Sequence, residues 1–71
     1  MKDNILEEIK EKWNTNNLQE SSDYLDKLSF SATTGSEIIE LIGVFLMSLK
    51  RDNKVEHKVA KHQIDQYFRN Y

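Results

Sequence analysis

The chain has no cysteine, no proline and only two glycines among its 71 residues. Without thiols there is neither a disulfide staple nor a thiolate metal site, so stability has to come from packing, with self-association as a further source. A reducing cytoplasm fits that absence. With no proline, no low-complexity tract and no internal repeat, nothing marks a linker, and residues 1–71 read as one domain. Charge of one sign is also in short supply. Ten bases against twelve acids leave a net −2 and a sequence pI near 5.6, far from the basic composition of a generic nucleic-acid binder.

Long apolar runs are missing too. The longest, residues 38–49, holds nine large apolar residues in twelve, with Glu37 and Glu40 at one end and Lys50, Arg51 and Asp52 at the other. A membrane span needs about 20 apolar residues, so this run reads as the buried helix of a soluble protein. The mixture of acids and lysines from Asp3 onward is incompatible with the apolar centre of a secretory signal, and the expected location is the cytoplasm.

What is present is amphipathic helix. With 38% hydrophobic and 31% charged residues the composition is that of an ordinary folded chain, though a domain of this length buries only roughly 60% of the surface exposed on unfolding. Asn4 with Glu7 has the form of a capping box and opens a first helix to about Trp13, with Ile5, Ile9 and Trp13 on one stripe beside Leu6. The polar cluster Asn14 to Asn17 ends it. Asn17 with Glu20 repeats the pattern and opens a second helix carrying Leu18, Leu25 and Leu28. Ser21 and Ser22 weaken its centre, and residues 29–33 read either as a loop or as an extension of the next helix.

Thr34 with Glu37 is the third and strongest box, because it precedes the apolar run. On a wheel at about 100° per residue, Leu41, Phe45, Ile38, Leu49, Ile42, Leu46 and Ile39 spread over roughly 160° of arc. Gly43 stands at the edge of that arc, where it lets another helix approach or marks a bend or ligand contact. Asp52 or Asn53 then caps a fourth helix from about Lys54 onward, with Ala60, Ile64, Tyr67, Phe68 and Tyr71 on one face and Lys58, Lys61, His62 and Arg69 on the other. The expected fold is all-α, a compact bundle of three to four short helices around an apolar helix at about residues 35–51.

No residue set carries a catalytic, cofactor or metal signature. His57 and His62 are five positions apart, which separates them by about 140° around a helix, whereas two helical ligands converge only at i,i+3 or i,i+4. Neither histidine belongs to a nucleophile motif. An enzyme is therefore not expected, and no cofactor or metal is called for.

Charge is unevenly distributed. The first forty residues hold four bases and nine acids, and the remaining thirty-one hold six bases and three acids. Three readings follow: packing of complementary faces or simple solvation, an acidic face for a basic protein partner, and a nucleic-acid footprint on the last helix. Val44 and Met47 fall on the Glu37, Glu40 and Arg51 side of the apolar helix, and Val55 and Val59 lie off the aromatic face of the last. Either the bundle wraps the apolar helix on nearly all sides, or these residues form an exposed strip for a partner.

These features point to a small non-enzymatic protein–protein interaction module, such as a toxin-neutralising inhibitor of the immunity or antitoxin type. Its binding residues would be Glu8, Glu11, Asp23, Val44 and Met47. Two alternatives remain: a nucleic-acid-associated regulator using Lys54, Lys58, Lys61 and Arg69, and a structural homodimer subunit using Val44, Met47 and the edge of the last helix.

Overall fold

A computed structural model describes the backbone of residues 2–31 and 34–70 and the side chains of residues 5–31 and 34–69. The described residues form an all-α bundle with no strand: α1 (Lys2–Thr15), α2 (Gln19–Ser31), α3 (Gly35–Arg51), α4 (Val55–Val59) and α5 (Lys61–Asn70). Helix α1 packs against α2, α4 and α5, while α3 packs against α2 and α4. The core takes Ile5, Ile9 and Trp13 from α1, Leu25 from α2, Ile42, Leu46 and Leu49 from α3, and Ala60, Ile64 and Tyr67 from the C-terminal segment. The stripes expected on α1 and α3 thus meet. Two helices share the centre of the bundle, where the sequence points to one.

The C-terminal ends of α1 and α3 are both closed by asparagine. Asn17 has φ 62° and Asn53 φ 56°, the left-handed conformation in which asparagine is the best tolerated non-glycine residue. After α1, Leu18 N–H donates to the Trp13 carbonyl at 2.8 Å and Asn17 N–H to that of Asn14 at 3.3 Å. After α3, Lys54 N–H donates to Leu49 at 3.0 Å and Asn53 N–H to Lys50 at 3.2 Å. Each pair is a Schellman closure. Asn17 and Asn53 therefore finish the preceding helix and do not cap the following one. The N-cap of α4 is Lys54, without a side-chain bond. Thr34 does cap α3, its hydroxyl accepting from Glu37 N–H at 3.2 Å. At the N-terminus α1 starts at Lys2, upstream of Asn4, whose side chain lies outside the described residues, as do Thr33 and Tyr71. Helix α2 runs to Ser31, so most of the 29–33 segment is helical and belongs to α2.

The expected fourth helix is divided at Ala60, which has φ −114° and ψ 28°. A side chain of another helix reaches this point: Trp13 Nε1–H donates to the Glu56 carbonyl at 2.9 Å, the acceptor that it shares with Ala60 N–H at 3.3 Å. A side chain inserted into the i→i−4 ladder is a recognised origin of a kink. Ala60 is fully buried, so the break is packed against the core.

Side chains join α3 to α5. Tyr67 Oη–H donates to the Ile39 carbonyl at 3.2 Å, and a Cβ built on Gly43 would stand 3.8 Å from Phe68 Cε1. That is ordinary contact, so α5 does approach Gly43 but leaves room for a methyl. Gly43→Ala is expected to stabilise the protein by about 0.5–1 kcal/mol through helix propensity. Urea unfolding would show it as a higher midpoint at unchanged slope.

Candidate protein-binding surface

The surface is best described by what the core leaves out. On α3, Leu41, Val44 and Met47 are 40%, 65% and 50% exposed, on the helix face opposite Ile42, Leu46 and Leu49. The bundle does not wrap this helix. Glu37 and Glu40 flank the strip toward its N-terminal end and Arg51 toward its C-terminal end, all three exposed. Glu37, Glu40 and Leu41 line a shallow cleft there. The wheel places Leu41 within the apolar arc, and the structure puts it on the outside. Phe45, next to Leu41 on that arc, is half-buried, with its ring edge-on to Trp13 at 6.0 Å and to Tyr24 at 4.8 Å between centroids. Val55 is exposed, whereas Val59 packs onto the core. Phe30, near the end of α2, is 88% exposed, and its position in the sequence gave no warning of that.

The acidic residues Glu8 and Glu11 are exposed on α1 and line one cleft with Lys12, Thr15 and Asn16. Asp23 is exposed on α2 and does not line that cleft. Two acids that the sequence offered only as charge prove structural. Asp26 accepts from Lys10 Nζ at 2.7 Å, joining α2 to α1, with Glu7 on the same ammonium at 2.8 Å. Glu56 Oε2 accepts from Ser21 Oγ at 2.6 Å while its carbonyl holds Trp13, so one residue of α4 fastens α1 and α2. Hydrogen bonds to the Asp26 and Glu7 carboxylates hold the Lys10 ammonium above the usual lysine range, against the smaller opposing effect of burial.

A raised lysine pKa favours the folded state below the unfolded value of about 10.4 and ceases to do so as the pH climbs through the folded value. Lys10→Met should therefore cost about 0.2–1 kcal/mol at neutral pH, less in high salt, because its partners are partly exposed. The difference from wild type should fade in alkaline unfolding titrations. A cost unchanged by salt and pH would assign it to packing of the lysine stem.

Lys54, Lys58, Lys61 and Arg69 are all exposed, but they do not form one helical stripe. Lys54 caps α4, Lys58 lies within it, and Lys61 and Arg69 follow the break at Ala60. The histidines are separated in the same way: His57 is buried on α4, its Nε2 without a protein hydrogen-bond partner, and His62 is exposed on α5. Among the described residues no group of three histidine, cysteine or acidic side chains is arranged to hold a metal ion, and no helix is long and apolar enough to cross a membrane. No protein-family model matches the chain, and no curated protein or solved structure matches it.

Proposed function

We propose that the protein is a non-enzymatic interaction module with two surfaces: the apolar outer face of α3, and the acidic residues Glu8, Glu11 and Asp23, which attract a basic protein. A toxin-neutralising inhibitor would need this combination, since charge accelerates capture and an apolar strip holds the complex once formed. The observation that carries the reading is the exposure of Leu41, Val44 and Met47 on a helix whose opposite face buries Ile42, Leu46 and Leu49. A folded chain with a net charge of only −2 gains no solubility from leaving three large apolar side chains in water.

The test is recovery of a protein from the native host with tagged wild type and with two variants. Val44→Glu with Met47→Glu should abolish retention of the partner. Reversing Glu8, Glu11 and Asp23 to lysine should slow its association, and this effect should shrink as salt rises, because rim charges act through steering. A salt-sensitive shift of generic oligonucleotides that is lost in Lys58→Glu with Lys61→Glu would replace this reading with the nucleic-acid one.

A further inference from the structure

The exposed apolar residues of α3 have a neighbour on α2. Tyr24 is 47% exposed, and its ring stands edge-on to Phe45 at 4.8 Å between centroids. Helix α2 ends at Ser31 and α3 starts at Gly35, so the short connection sets the two antiparallel, with the ring pair two to three turns away from it on both. Val44 and Phe45 follow Leu41 by three and four residues, the spacing at which helical neighbours touch. Tyr24, Leu41, Val44 and Phe45 therefore make one apolar seam shared by two helices. Acids border it at both ends. Glu37 and Glu40 precede Leu41 and Val44 by one turn on α3, and Glu20 precedes Tyr24 by one turn on the antiparallel α2, all three exposed. Lys27 opposes them on α2, whereas Arg51 is held by Asp52 at 3.5 Å, so acid predominates.

We infer that this seam seats a basic amphipathic helix of the partner, with Tyr24 as its anchor. This rests on the reading of the α3 face as an interface and names the element that the interface holds. An extended segment would arrive with unpaired backbone groups, and the described residues form no strand whose edge could pair them. A helix satisfies its own backbone and lays an apolar stripe between two others. Bases flanking that stripe then meet Glu20 at one end of the seam and Glu37 and Glu40 at the other, which is the charge complementarity that selects a basic helix over an acidic one. Tyr24 has the properties of an anchor. Half-exposed aromatic rings dominate interface energetics, and this one is already held by Phe45, which is itself edge-on to Trp13 at 6.0 Å, so little freedom remains to be lost on binding.

Synthetic peptides serve as probes. A length of about 14 residues matches the roughly 21 Å of α3 between Glu37 and Arg51. One peptide is built of leucine and lysine with the leucines at i, i+3, i+4 and i+7; a second alternates the same two residues, and a third has glutamate in place of lysine. In anisotropy titrations of the dye-labelled peptides, the first should bind with a Kd in roughly the 10–100 μM range, and the other two at least about tenfold more weakly. Tyr24→Ala should weaken the first by about 5- to 30-fold, the loss of an anchor, whereas Tyr24→Phe keeps the ring and should stay within about 3-fold of wild type. Glu20→Lys with Glu40→Lys should weaken binding at low salt and converge with wild type as salt rises. Helical circular dichroism should be unchanged in all of them, because none of these side chains belongs to the buried core.

A wild type that binds no helical peptide up to about 1 mM, equal binding of the alternating peptide, or a Tyr24→Ala variant that binds as well as wild type would each overturn the seat. So would binding that is lost on reversing Glu8 and Glu11 but not Glu20 and Glu40, which would move the peptide to α1. A dimer in sedimentation that Tyr24→Ala dissolves would put a second copy on the seam instead. If the seam fails these tests while Val44→Glu with Met47→Glu still loses the host protein, the helix is the wrong occupant and the proposed function stands. If that variant retains the host protein, the proposed function falls and the seat falls with it.

Discussion

Trp13→Ala is expected to leave the protein unfolded or nearly so at room temperature. Trp13 is fully buried, packs edge-on against Phe45, and donates its indole N–H to the Glu56 carbonyl across 43 residues of sequence. Truncating a buried tryptophan costs about 3–5 kcal/mol, comparable with the whole stability that a single core supplies at this size. Trp13→Phe separates the two contributions. The ring keeps most of the packing and loses only the hydrogen bond, worth about 0.5–1.5 kcal/mol, with the Glu56 carbonyl still served by Ala60 N–H at 3.3 Å. If the indole bond is what divides α4 from α5, Trp13→Phe should also shorten the Ala60 bond, and amide exchange at Ala60 should slow relative to its neighbours. Thermal melts of the two variants that coincide would remove Trp13 from the centre of the bundle.

That bond also marks the limit of what the sequence discloses. Local signals are legible where one helix determines its own pattern. Ile5, Ile9 and Trp13 recur at every fourth position, and the inward side of α3 follows from its wheel. The hydroxyl of Thr34 sits three residues before the amide that it caps. The division at Ala60 has no local signal, since neither glycine nor proline stands near it and the side chain that shares the Glu56 carbonyl with Ala60 N–H comes from α1. Asn17 and Asn53 are ambiguous for a different reason: asparagine serves both as an N-cap and as a left-handed helix end, and only the chain path decides which carbonyls need donors. Surface residues divide along the same line. Val44 and Met47 were visible as misfits on a charged face, but whether a neighbouring helix covers them depends on how α2 and α4 sit against α3. Asp26 and Glu56 carry no local signal of their roles, because their bonds to Lys10 and Ser21 join residues 16 and 35 positions apart.

Leu46→Ala and Leu41→Ala should behave oppositely, although both residues are leucines of the same helix. Leu46 is fully buried and Leu41 is 40% exposed. The first substitution removes core volume that the surrounding helices can refill only in part, and should cost about 2–5 kcal/mol. The second opens no cavity, and should cost below about 1 kcal/mol in the monomer. Denaturant titrations at low protein concentration would read both. Equal losses in the two variants would mean that Leu41 belongs to the core, and the exposed strip that is proposed to hold a partner would shrink to Val44 and Met47.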